Sequence, residues 1–233
     1  DSVASRGLGD VYKRQEFARF TGDPGSVSLG LVRVAEAAAA AEGDLGGLVQ
    51  DSQHLLDRLV RLAGSSEACI DHIVRWPESL RLLAEDDDFL RAKRRRKVRK
   101  RIARSVYDAD GQLLSIEDGR TALRRAYRDE LIQLTAADLG SHEPTADFDT
   151  VSRTLTEMAE GALMAAHDLA AGDSIPDGCA ELAVIAMGKC GARELNYVSD
   201  VDVVFAFSPE TTADGEQAER CLLYTSPSPR DAT

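Results

Sequence analysis

From Ser28 to Gly172 apolar side chains recur at helical spacing almost without a break, and beyond Gly172 that rhythm stops. A helix buries a stripe at i, i+3, i+4 and i+7, whereas a strand buries alternate residues or one short continuous run. The chain must therefore change architecture along its length. "SLGLVRVAEAAAAAE" is alanine-rich and amphipathic and ends before Gly43. In "DSQHLLDRLVRLAG" Leu55, Leu56, Leu59, Val60 and Leu62 share one side, and Gly64 is a natural stop. "SSEACIDHIVRWPESLRLLAE" reads as two short helices broken before Pro77, because proline restricts the residue ahead of it. Leu123, Tyr127, Leu131 and Leu134 form the next stripe. Val151, Leu155, Met158, Ala162, Leu163, Ala166 and Leu169 form the last. Together these predict roughly six helices in an irregular bundle, their stripes serving as core and not as chemistry.

The turn-rich "GDSIPDG" ends the helical part. In "CAELAVIAM" the run Leu182–Met187 is continuous and apolar, which predicts a strand buried on both faces. "GKCGARELNYVS" reads as a turn with one helical turn in it, and "DVDVVFAF" as a second strand closed by Ser208 and Pro209. The fold class expected is mainly α, followed by the start of an α/β (α+β) domain.

Residues two apart in a strand point to the same side, roughly 6.6–6.8 Å apart at Cα. Asp200 and Asp202 would thus project together, with Val201, Val203 and Phe205 turned toward a core. Two such carboxylates need solvent or a cation. A pair of divalent ions is a natural partner, and all-oxygen donors favour magnesium with substrate phosphates completing the shell. Gly188, just after the first run, lets backbone N–H groups approach a phosphate, and Lys189 and Ser199 add a charge and a hydroxyl.

The two ends read differently from the rest. Back-translated, "SRGLGDVYKRQ" (5–15) and "CLLYTSPSPRD" (221–231) become opposite strands of one DNA element resembling a transposon-end sequencing adapter. Asp1–Gln15 and Cys221–Thr233 are therefore expected not to be native. The native stretch is expected to run from Glu16 to Arg220, cut from a longer gene, with a helical region at 16–172 and a second domain beginning at 173–220. The first flank carries Arg6, Lys13 and Arg14 against Asp1 and Asp10, and the second Arg230 against Asp231. The interior is thus one charge more negative than the whole chain's −12. Its three cysteines, Cys69, Cys179 and Cys190, have no metal or disulfide spacing and suit a reducing cytoplasm. No apolar run reaches the roughly 18 residues of a membrane span.

The acidic balance argues against nucleic acid as a partner. Arg91–Arg104, with ten basic residues in fourteen, is the exception. It reads as a solvated basic face following the acidic Glu85–Asp88, and nucleic-acid binding through it is the alternative.

The full string "MGKCGARELNYVSDVDVVF" resembles the motif G-K/R-x-G-x-x-E-L-x-x-x-S-D-x-D of the bacterial glutamine synthetase adenylyltransferase/adenylyl-removing family, within the polymerase-β-type nucleotidyltransferases. Gly188, Lys189, Gly191, Glu194, Leu195, Ser199, Asp200, Asp202 and Phe205 carry the match, and Ala192 departs from a second glycine common there. "RRAYRDELIQLTAADL" and "DFDTVSRTLTEMAE" are similar to the family's region upstream of the motif. The resemblance implies that 173–220 begins a nucleotidyltransferase domain. Asp200 and Asp202 would be its catalytic, magnesium-holding carboxylates, and Gly188, Lys189 and Ser199 its phosphate- and nucleotide-binding groups. A third carboxylate would lie beyond Arg220. ATP, ADP or an AMP moiety would be the nucleotide, glutamine synthetase the protein substrate, and a PII-type signalling protein the regulator. "ARELNYVSDVD" looks more like the adenylyl-removing half, where phosphate releases AMP from a tyrosine as ADP. The adenylylating half tends to have glycine in place of Asn196 and is the alternative.

Overall fold

The computed structural model describes residues 24–41, 47–48, 52–84, 89–90, 97–172 and 180–209. The two expected non-native ends, Glu85–Asp88, the first six residues of the basic run and nearly all of "GDSIPDG" lie outside these. The helices are α1 (Pro24–Ala40), α2 (Gln53–Ser65), α3 (Glu67–Arg75), α4 (Leu80–Ala84), α5 (Val98–Arg104), α6 (Ile116–Gly140) and α7 (Pro144–Ala171). Strand β1 (Ala180–Ala186), the short helix α8 (Gly188–Ala192) and strand β2 (Val203–Pro209) follow. A helical region followed by a small sheet is the architecture read from the sequence, with seven helices before the sheet among the described residues.

The chain divides into two compact units, 1–98 with 124–154, and 99–123 with 155–233. In the first, Leu55, Leu59 and Leu62 of α2 are buried with Val34, Ala38, Ile70, Ile73, Leu80, Leu83, Ile132 and Ala136. Helix starts are fixed locally. The Ser52 hydroxyl accepts the amide of Leu55 at 3.2 Å, and that of Ser66 accepts Cys69 at 3.4 Å, satisfying donors a helix leaves orphaned. The break expected before Pro77 is there: α3 ends at Arg75, and Pro77–Ser79 is a single 3-10 turn. A polar cluster holds that break. His72 Nε2 lies 2.8 Å from Asp129 Oδ1, and the Ser79 hydroxyl donates to the same oxygen at 2.6 Å. Arg125 donates to Glu78 at 3.0 Å while stacking 4.4 Å above the Trp76 ring.

In the second unit, Val106, Ala165 and Leu169 form a small core against Tyr107, Leu113 and Leu123. Helix α6 starts with a side-chain cap: Ser115 Oγ accepts the Asp118 amide at 3.1 Å and donates to its carboxylate at 2.7 Å. Helix α7 crosses α5 at Gly161, where an added Cβ would fall 2.6 Å from the Arg99 carbonyl oxygen and 3.0 Å from Ile102 Cβ. β1 and β2 pair antiparallel, from Ala180 opposite Pro209 to Ala186 opposite Val203.

The sheet departs from the sequence expectation in two ways. Leu182, Val184 and Ile185 are exposed, Ile185 by 49%, and Phe205 by 53%, where a strand buried on both faces was expected. The reason is that the sheet has two strands among the described residues and its faces meet solvent. And β2 begins at Val203, so Asp200 and Asp202 precede the strand instead of lying in it.

Gly161 gives a test in which two effects have opposite signs. Alanine is favoured over glycine within a helix by about 0.8–1 kcal/mol, yet here its Cβ collides with backbone. Gly161→Ala is expected to lower the urea midpoint of unfolding, with a cost of about 1–3 kcal/mol. A raised midpoint would show that the α5–α7 crossing is not this tight.

Candidate functional site

The backbone makes the site before any side chain does. β1 ends at Ala186, and pairing with the other strand continues one step further, the Met187 amide donating to the Asp202 carbonyl at 2.9 Å. The chain then turns sharply at Gly188, which has φ +52. An L-residue in that region loses roughly 1–2 kcal/mol to its own Cβ. Space argues the same way, since a Cβ on Gly188 would sit 3.3 Å from Asp202 Oδ2. The Asp202 carboxylate thus lies over the bare α-carbon that opens α8. A Cβ on Gly191 would fall 2.5 Å from the Ala186 carbonyl oxygen, so α8 is folded hard against the end of β1.

The exit from α8 is unusual. Arg193 has φ 62 and is the one non-glycine residue with positive φ among those described. Its amide donates to Cys190 at 3.1 Å and the Glu194 amide to Lys189 at 2.8 Å, closing the helix C-terminus as a left-handed cap does. Leu195 is buried and anchors the loop that follows. In that loop the Asn196 side-chain oxygen accepts the Val198 amide at 3.1 Å and the Ser199 hydroxyl at 2.9 Å. The Asn196 amide returns a bond to Ser199 Oγ at 3.1 Å. This reciprocal turn delivers the chain to Asp200.

Of the residues singled out from the sequence, the structure brings Gly188 and Asp202 into contact. Asp200, Asp202 and Lys189 are exposed at the same strand–helix corner. Ser199 is committed to the Asn196 turn. Two carboxylates that keep contact with water suit magnesium, which retains waters and takes its other ligands from phosphates. Among the described residues no three His, Cys, Asp or Glu side chains gather as a metal site.

Sequence reading missed what lies beneath the corner. Glu160, from the middle of α7, accepts Arg99 of α5 at 3.1 Å through one oxygen and lies 3.6 Å from Arg193 through the other. No spacing rule links positions so far apart. Cys190 is buried, 2% exposed. Its thiol is pushed up from the ordinary 9.0 by burial first, then by Glu160 and Asp202. The basic run is placed only over Lys97–Arg104, where Lys97, Arg99, Lys100 and Arg104 are exposed while Val98 and Ile102 are buried.

The comparisons with known proteins agree with one another. The family model described as glutamate-ammonia ligase adenylyltransferase matches residues 56–222. A bifunctional glutamine synthetase adenylyltransferase/adenylyl-removing enzyme of Mycolicibacterium smegmatis is 42% identical over 190 residues, 78% of this chain and 18% of that protein. Its namesake in Mycobacterium avium is 38% identical over 220 residues, 88% of this chain and 20% of that protein. The Streptomyces avermitilis counterpart is 36% identical over 202 residues, 85% and 19%. The chain thus spans about a fifth of the length of these relatives. No solved structure matches it.

The charges around Cys190 can be read directly. A raised pKa keeps the thiol protonated to higher pH, so its ionisation, followed by the cysteine Cβ chemical shift, is expected above pH 9.0. Asp202→Asn removes one negative charge and is expected to move it down part of the way, because burial is the larger cause. An unmoved titration would place Asp202 away from α8.

Proposed function

The chain belongs to the glutamate-ammonia ligase adenylyltransferase family, and on that premise we propose that it carries the opening part of an adenylyl-removing nucleotidyltransferase site. The observation that carries this reading is the Asp202 carboxylate lying over the Cβ-less Gly188, 3.3 Å from where a Cβ would be, at the end of β1. A carboxylate beside exposed backbone at a strand end is what a metal-bound phosphate requires on its two sides. Glutamine synthetase would be the protein substrate, as the names of the relatives say of them, in a cytoplasmic setting and with a PII-type protein as regulator. The nucleotide moiety is AMP, leaving as ADP.

In the proposed reaction inorganic phosphate attacks the phosphorus of adenylyl-tyrosine. A new phosphorus–oxygen bond forms, the bond to the tyrosine oxygen breaks, and the tyrosine takes up a proton as it leaves. Positioning and electrostatics do nearly all the work in such transfers. Asp200 and Asp202 would hold magnesium, in a two-metal arrangement. Bound there, the ions would supply positive charge against the charge developing on the phosphoryl oxygens. Gly188 gives the phosphate close access to backbone, and Lys189 places an ammonium beside it. Ser199 contributes by holding the Asn196 turn that aims Asp200, and reaches a phosphate oxygen only by exchanging that bond. Asn196, where the adenylylating half tends to have glycine, supports the removing half: its side chain organises the loop through two accepted bonds.

The test uses the full-length protein with AMP-modified glutamine synthetase and phosphate, against unmodified synthetase and ATP. Asp200→Asn and Asp202→Asn are each expected to slow AMP release on the order of 10²–10³-fold, the loss typical of removing one electrostatic group from a transition state. AMP release unaffected by both changes would end this reading, and loss confined to the ATP-dependent reaction would assign the segment to the adenylylating half.

A further inference from the structure

We propose that Glu160 is a positioning residue for the phosphate-binding turn: by engaging Arg193 and Arg99 at once, it holds α8 and its left-handed exit where Gly188 meets Asp202. The inference rests on the site reading above and adds to it a residue from the helical part of the chain. Two observations converge on it. Arg193 Nη2 lies 3.6 Å from Glu160 Oε1, and Arg99 Nη1 lies 3.1 Å from Oε2, so each oxygen has its own guanidinium. And Arg193 occupies a backbone region that persists only where surroundings over-determine it.

The second guanidinium matters because it restrains Glu160 itself. Arg99 follows Val98 on α5, and its carbonyl oxygen is the atom a Cβ on Gly161 would strike. The carboxylate one residue earlier on α7 is therefore fixed at a close helix crossing and is not free to follow Arg193. With the Glu160 side chain 27% exposed and that of Arg193 52%, the pair adds little to overall stability. Its effect is local, on where the turn sits, and a misplacement of about 1 Å in a transfer site can cost up to about 100-fold in rate.

The test again uses the full-length protein. Hydrogen–deuterium exchange is read over residues 188–195 and, as a control in the first unit, over α2. Glu160→Gln and Arg193→Gln are each expected to speed exchange of 188–195 about two- to fivefold, the range a partly exposed ion pair supplies, with α2 unchanged. AMP release to inorganic phosphate is expected to fall about tenfold in each, the double variant being no worse than either single one. Arg193→Lys, which keeps the charge, is expected to restore both. Wild-type exchange and release in Glu160→Gln would overturn the proposal, as would faster exchange shared equally with α2. The site reading fails separately: Asp200→Asn leaving release intact removes it whatever Glu160 does.

Discussion

The register of two short strands decides everything at this corner. Because Ala186 pairs with Val203 and the Met187 amide still reaches the Asp202 carbonyl, Asp202 is set beside Gly188 with no freedom to slide. A shift of one residue would turn Asp202 to the other side and put Val201 or Val203 there instead. The glycine answers that placement twice, by accepting φ +52 and by leaving room for the carboxylate. The proposed phosphate site would use backbone that needs no side chain to be aimed. The part requiring support is the short helix that follows, and Glu160 stands against its far end.

The electrostatics follow from the same geometry. Glu160 pairs with Arg193 at the exit of the five-residue helix, and Asp202 lies beside Gly188 at its start. Burial first, and then the charges of Glu160 and Asp202, pushes the Cys190 thiol up from its ordinary value. Arg193 and Arg99 offset Glu160, while Lys189 is left exposed. Asp200 and Asp202 are exposed to water. Carboxylates kept solvated cost little to hold ready, whereas burying them unpaired would be expensive.

Much of this was legible in the sequence. Leu55, Leu59, Val60 and Leu62 are buried or nearly so, as their spacing required, and the chain breaks at Pro77. The S-D-x-D string, with its glycine a dozen residues earlier, located the corner. Alternation in an apolar run could not say where a strand begins: the Asn196–Ser199 turn holds the chain out of the sheet until Val203. Nor could a continuous apolar run guarantee burial, since burial depends on what packs against Ile185 and Phe205. Glu160 was invisible because its partners come from α5 and from beyond β1, and a left-handed arginine has no signature of its own.

The central claim is that Asp200, Asp202 and the Gly188 turn together hold a divalent cation beside phosphate. Iron-directed cleavage reads it by position: Fe2+ substituted for magnesium, with ascorbate and peroxide, cuts the backbone next to the groups that hold it. In the full-length protein supplied with phosphate, cuts are expected within Gly188–Val203, to be suppressed by excess magnesium, and to vanish when both aspartates are changed to asparagine. Cuts elsewhere along this segment, or cuts within Gly188–Val203 that survive loss of both carboxylates, would contradict the account.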